Sequence, residues 1–306
     1  MHSAIPMVVV LVCAAAVALG AAPGLDVGPV EKVAGGCQFT EGPMWHPDGY
    51  LVFSDIPADT IYRLKDGEKE VYRKPSGNSN GLAFDEESRL LACEHGTRTV
   101  SRTLEDGTVI ALASEYRGRR LNSPNDLVVR SDGSIYFTDP PYGVDEEDRE
   151  LDFQGVYRIS PVGELQLLLK DFERPNGLAF SPDQKVLYIA DTAKHHVRAF
   201  DVQLDGSLSN DRMFVQFEEP DQLRPDGMKV DVEGNLYVAG FEGVEVFAPD
   251  GEHRGTIVLP ERPANLAFGD EDGRTLYVTA RTSVYKVRVA HPGAVFARRF
   301  DLGERE

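Results

Sequence analysis

Six times along the chain a short apolar run, a turn and a second β-rich run recur, and this period constrains the fold more than anything else in the sequence. The copies begin at Gly42, Gly81, Asp126, Gly177, Gly227 and Asn265; Gly177-Leu-Ala-Phe-Ser-Pro-Asp-Gln-Lys-Val-Leu-Tyr-Ile-Ala-Asp191 shows the pattern. Val, Ile, Tyr and Phe dominate the runs, and Asp-Gly or equivalent pairs between them supply positive φ, so each copy reads as a hairpin. A second hairpin follows each first one, as in Thr60-Ile-Tyr-Arg-Leu-Lys-Asp-Gly-Glu-Lys-Glu-Val-Tyr72. Six units of four strands, spaced by roughly 40–50 residues, predict an all-β protein: a six-bladed β-propeller with four antiparallel strands per blade. No helical pattern separates the strands, which argues against a TIM barrel or a doubly wound sheet. Two β-sandwich domains would not repeat one hairpin pair six times. Val30–Ala34 and Ala294–Asp301 compete to supply the strand that closes the ring.

Ile5 to Leu19 form an uninterrupted apolar run ending in Ala18-Leu-Gly-Ala-Ala-Pro23. A spanning helix needs roughly 18–20 such residues, and small residues at the −3 and −1 positions suit a signal peptidase. Residues 1–22 therefore read as a signal peptide, with a retained anchor as the alternative, and residues 23–306 as one propeller domain. The expectation is a secreted or periplasmic protein with no membrane contact beyond that peptide. Cleavage removes Cys13 and leaves Cys37 and Cys93, too few for a disulfide framework; they pair or sit free. With 42% hydrophobic residues the chain can bury a sizeable core, and 50 acidic against 32 basic residues give a formal charge of −18. That field repels nucleic acid and anionic lipid, whereas carboxylates can collect divalent cations.

In a propeller the innermost strands line a central channel, so the residue just before each inner strand takes an equivalent place around one mouth of it. These residues are Glu41, Asn80, Asn125, Asn176, Asp226 and Ala264. Inward-pointing polar groups at a narrow axis are costly unless something satisfies them, and a hard cation would. Carboxylate and amide oxygens without Cys or His are the ligand set of Ca²⁺, or of Mg²⁺ or Mn²⁺. Asn and Asp also favour the turn into a strand, which accounts for Asn-Gly and Asp-Gly but not for Glu41. The second strands return to the same mouth, so His95 and Tyr142 overhang it. The acidic link from Pro140 to Gln154 is a candidate lid or a plain solvated loop. His195 and His196, adjacent on a strand, face opposite ways and form no ligand pair.

Several pieces of the chain resemble one family. They are Phe39-Thr-Glu-Gly-Pro43, Ala92-Cys-Glu-His-Gly96, Asn122-Ser-Pro-Asn-Asp126, Tyr136-Phe-Thr-Asp-Pro-Pro-Tyr-Gly143, Arg174-Pro-Asn-Gly-Leu178 and Pro225-Asp-Gly-Met228. The chain resembles the senescence-marker-protein (regucalcin), gluconolactonase and luciferin-regenerating-enzyme group of six-bladed propellers, and most of all its microbial gluconolactonase branch. The resemblance spans essentially the whole chain after the leader. It implies that Glu41, Asn176 and Asp226 bind one divalent cation, Ca²⁺ first and Mg²⁺, Mn²⁺ or Zn²⁺ as alternatives. Asn125 then completes the metal site or holds substrate, and Asp226 doubles as the acid/base. In the animal branch an Arg two residues before the third-blade Asn contacts substrate; here that position is Ser123, and Arg120 is the nearest basic residue. Arg120, Asn125, His95 and Tyr142 are the expected substrate contacts. The implied activity is a metal-dependent hydrolase opening a small-molecule cyclic ester, a sugar lactone. Phosphotriester hydrolysis at a similar site, or a non-catalytic ligand-binding propeller, are the alternatives. No Gly-x-Ser-x-Gly elbow, His-Glu-x-x-His or phosphate loop is present, so serine hydrolase, zincin and nucleotide readings lack support.

Overall fold

The computed structural model describes residues 25–217, 224–241 and 243–299. The expected signal peptide, residues 1–22, lies outside the described residues, and no described helix is long and apolar enough to cross a membrane. Six four-stranded antiparallel sheets form a six-bladed propeller. In each of the first five blades the strands run in chain order from the axis outwards. The first blade consists of Thr40–His46, Tyr50–Asp55, Thr60–Lys65 and Glu68–Arg73. The inner strands of the next four are Ser79–Phe84, Leu127–Val129, Pro175–Phe180 and Met228–Val230. The sixth blade takes three strands from the end of the chain, Pro263–Gly269, Thr275–Ala280 and Ser283–Arg288, and its outer strand, Glu31–Ala34, from the beginning.

Of the two candidates for closing the ring, the N-terminal one therefore does so. Once Glu31–Ala34 has taken the edge, the Ala294 segment has no ladder to join. Ala294–Arg299 forms a short helix that buries Ala294 and Phe296. This helix straps across the far end of the channel. Gly293 bridges to Asp231 in the fifth blade, and Arg299 donates to Phe84 O, Asp85 O and Ser88 Oγ at 3.3, 2.9 and 3.0 Å in the second.

Local chemistry explains the strands. Asp66 and Gly67 have φ of 52° and 81°, the two positive values of a type I′ hairpin turn. Second strands such as Tyr50–Asp55 and Ile135–Asp139 are buried along their whole length, whereas the outer strand Glu68–Arg73 is largely solvated. The core lies between neighbouring blades: Tyr136 meets Phe180 edge-on at 5.1 Å, and Trp45 stacks on Tyr277 of the sixth blade at 5.4 Å. Each such side chain contributes about 1.5–3 kcal/mol by leaving water. Cys37 and Cys93 are both buried and free, which answers the pairing question. His195 sits in a turn with φ of 54°, so only His196 begins the strand expected to carry both.

Candidate active site

The inner strands pack in a closed ring and converge most tightly just past the mouth. A Cβ on Gly42 would lie 2.0 Å from Asn80 O, one on Gly177 2.2 Å from Asp226 O, and one on Gly81 2.6 Å from Asp126 Oδ1. Glycine is thus required where blades nearly touch. Two of the six equivalent positions keep side chains, Asp126 and Asn265, and these belong to opposite blades. They meet across the axis, where Asn265 Nδ2 donates to Asp126 Oδ2 at 3.2 Å and Lys229 Nζ donates to Asn265 Oδ1 at 3.3 Å.

One residue earlier, the ladder between first and second strands is interrupted in every blade. Register breaks fall at Glu41–Met44, Ser79–Leu82, Pro175–Leu178 and Pro263–Asn265; in the third and fifth blades pairing begins only at Leu127 and Met228. A break of this kind re-aims a side chain, and here it turns Glu41, Asn80, Asn125, Asn176 and Asp226 into the channel. In three blades an aspartate at the end of the second strand fixes the approach. Asp55 accepts from Gln38 N and Phe39 N at 3.1 and 3.0 Å, Asp139 from Asn122 N and Ser123 N at 2.8 Å each, and Asp191 from Glu173 N and Arg174 N at 2.8 and 3.0 Å. The ring residue follows two positions after the second clamped amide each time: Glu41, Asn125 and Asn176.

The mouth opens into a cavity of about 340 Å³ lined by Glu41, Asn80, Asn125, Asn176 and Asp226, and by His95, Tyr142, Thr192 and three arginines. The amides form a relay: Asn80 Nδ2 donates to Asn125 Oδ1 at 2.8 Å, Asn125 Nδ2 to Asn176 Oδ1 at 2.7 Å, Asn176 Nδ2 to Thr192 Oγ1 at 2.9 Å, and Thr192 Oγ1 to Pro225 O at 2.7 Å. Burial raises the pKa of both Glu41 and Asp226; repulsion from Asp226 adds to the effect at Glu41, while Arg262 partly opposes it at Asp226. Asp126, also pushed up by burial, lies below them. His95, buried, is pushed down to about 4 and is neutral at physiological pH. Its Nε2 lies 3.3 Å from Asn80 Nδ2.

The structure thus brings Glu41, Asn125, Asn176, Asp226, His95 and Tyr142 to one cavity. Arg120 is not among its lining residues. It sits on a two-stranded ribbon, Glu115–Tyr116 and Arg119–Arg120, and its guanidinium donates to Thr97 O at 3.1 Å. The candidate lid reaches the cavity only through Tyr142. Its acidic part docks away from the mouth, with Asp148 O accepting from Arg98 Nη1 at 3.1 Å and Glu150 Oε2 from Arg120 N at 2.7 Å. Sequence reasoning missed Arg174, Arg224 and Arg262, although Arg-Pro occurs two residues before the ring position in three successive units.

Glu41 and Asp226 test the fit of a metal. No ammonium or guanidinium of the described residues lies within ion-pair distance of either; Glu41 Oε2 accepts from Gly42 N at 2.8 Å, and the Asn265 amide also favours the charged form of Glu41. Two carboxylates without an ion pair, beside amide oxygens and in a place where charge is expensive to bury, suit a hard divalent cation.

Residues 39–282 match the family described as SMP-30/Gluconolactonase/LRE-like region. The chain belongs to that family. Among SMP-30/gluconolactonase/LRE-like relatives, it is 36% identical to a gluconolactonase of Zymomonas mobilis over 297 residues, covering 86% of this chain and 82% of the relative. It is 34% identical to a 6-deoxy-6-sulfogluconolactonase of Pseudomonas putida, with 86% and 91% covered. The solved structure of a Xanthomonas campestris gluconolactonase superposes with a TM-score of 0.80 at 35% identity, over 86% of this chain and 90% of that one.

Proposed function

We propose that this protein is a lactonase that hydrolyses a sugar lactone in the channel mouth with the help of one divalent cation. The convergence of Glu41, Asn125, Asn176 and Asp226 on one cavity carries the reading, and the family's gluconolactonases support the substrate class. Glu41, Asn176 and Asp226 would hold the cation, with Asn125 completing the set or holding substrate. Held there, such a cation would supply Lewis-acid polarisation of the ester carbonyl and stabilisation of charge on its oxygen. Asp226 accepts the proton of the attacking water as the water oxygen bonds to the carbonyl carbon. It returns that proton to the ring oxygen as the carbon–oxygen ester bond breaks, so the product is the open hydroxy acid. Asn80 and His95 present neutral polar groups to the sugar hydroxyls, and Tyr142 covers the opening.

Hydrolysis of glucono-δ-lactone followed by acid release, before and after EDTA treatment and then with Ca²⁺, Mg²⁺, Mn²⁺ or Zn²⁺ restored, tests this. The expected outcome is turnover that disappears with the metal and returns with it. Turnover that survives complete metal removal overturns the cation's role, and no turnover on any sugar lactone with any of these metals overturns the lactonase reading.

A further inference from the structure

The position two residues before each ring residue holds, blade by blade, Phe39, Asn78, Ser123, Arg174, Arg224 and Arg262. The three arginines occupy three consecutive blades, the fourth to the sixth, and all three line the cavity that holds Glu41 and Asp226. Each precedes a proline, which keeps the arginine backbone extended and so fixes the direction in which its side chain leaves the rim. Among the described residues none of the three has a carboxylate within ion-pair distance, in a chain with a large acidic surplus. Two are held by aromatic faces instead: Arg174 lies over Tyr142 and Arg262 over Phe241, each at 5.4 Å from the ring centroid. Stacking uses the flat face of a guanidinium and leaves its N–H edge free for a planar or tetrahedral oxyanion. The other half of the rim offers Phe39, Ile56, Asn80 and His95, with no cation. Neutral hydroxyls need no such asymmetry; amides and hydroxyls serve them equally well.

We propose that the lactone taken by this site carries an anionic group, a carboxylate, sulfonate, sulfate or phosphate, at the end of the molecule away from the ring ester, and that Arg174, Arg224 and Arg262 receive it. This rests on the lactonase reading for the word lactone, but the anion site itself does not.

Calorimetry with the intact chain separates the two. The probes are glucitol, which has no ester and no charge, and its terminal phosphate and sulfate monoesters. The expected result is binding of both monoesters at least about tenfold tighter than glucitol, a contrast that shrinks in high salt. Replacing arginines by glutamine (Arg174→Gln with Arg262→Gln, and Arg224→Gln alone) should cut that contrast. The sulfate arm matters because a phosphate can also bind a divalent cation directly; a contrast seen with phosphate only, or one that survives the Arg174→Gln/Arg262→Gln double variant, overturns the proposal. In parallel, kcat/KM is compared for glucono-δ-lactone and for sugar lactones with a terminal carboxylate or phosphate. A binding contrast without hydrolysis of any lactone sinks the lactonase reading and leaves the anion site standing. Hydrolysis without any contrast does the reverse.

Discussion

At the residue scale the proposed mechanism gives the two acidic residues separable roles, Asp226 as ligand and base and Glu41 as ligand alone. Asp226→Asn keeps an oxygen donor of nearly the same shape but removes the base, so turnover at saturating metal should fall at least about a hundredfold, the usual scale of a lost general base. Glu41→Gln removes one ligand charge and leaves the base, so part of its defect should be recovered by raising the metal concentration. Calorimetry of metal binding alongside steady-state kinetics distinguishes them; near-parental turnover of Asp226→Asn would reduce Asp226 to a ligand. Both residues were legible in the sequence because they recur in one register of a six-fold repeat. Asp126 and Asn265 were not, since their meeting depends on blades that face each other only after the ring has closed. Arg120 misled for a related reason: proximity in sequence to Ser123 says nothing about a ribbon that leaves the blade. A separate carboxylate contributes to acid stability. Burial works to raise the pKa of Glu261, but hydrogen bonds from Ser283 Oγ, Thr282 N, Thr282 Oγ1 and Tyr285 OH outweigh it and hold it at about 2. Its folded value lies below its unfolded one, so its stabilisation is complete above about pH 4.5 and is lost as pH falls towards 2. Glu261→Gln should therefore lower stability near neutral pH by on the order of 1–2 kcal/mol and flatten the acid limb of a denaturant-unfolding series across that window.

At the element scale the aspartate clamps do what the hairpin pattern alone does not reveal. The repeat implies that second strands return to the mouth, but not what the aspartates at their ends, Asp55, Asp139 and Asp191, do there. Their carboxylates instead hold the two amides that lead into the inner strand of the same blade, and this sets where Glu41, Asn125 and Asn176 sit. Asp191→Asn can keep an oxygen where Oδ1 accepts from Arg174 N, Ala193 N at 3.1 Å and Lys194 N at 3.2 Å, but it then turns an amide NH2 towards Glu173 N, which needs the acceptor that Oδ2 supplies. Leaving such groups unpaired costs about 1–3 kcal/mol. The expected variant is less stable by that amount and also has a raised KM, because Asn176 and Arg174 lose their fixed approach. Unchanged KM with lowered stability would make the clamp purely structural. The acidic link shows the opposite limit of sequence reading: its charge suggested a cover for the mouth, but charge alone does not say which way a loop folds, and hydrogen bonds from the Arg98 side chain to Asp148 O and from Arg120 N to the Glu150 carboxylate draw it aside.

At the scale of the whole molecule, the blade count follows from the repeat period, whereas the choice between two closing segments needed the structure. Glu31–Ala34 fastens the sixth blade, with Glu31 opposite Lys286 and Lys32 opposite Tyr285. A chain begun at residue 36 should fold with a lower thermal midpoint and self-associate, because the Ser283–Arg288 strand is left as an open edge; light scattering with thermal unfolding checks this, and an unchanged monomeric profile would show the fastening to be dispensable. The helix Ala294–Arg299, strapped from the fifth blade to the second, and the Asp126–Asn265 contact beneath the carboxylates close the channel from below. Among the described residues the result is a well with one doorway. A newly made acid has to back out along the path by which the next ester arrives, and hydrolysis creates a fresh negative charge beneath a half-circle of guanidinium groups. In the proposed reaction departure then competes with attraction, so traffic through the doorway, and not the breaking of the ester alone, bears on the pace at which such a well can work.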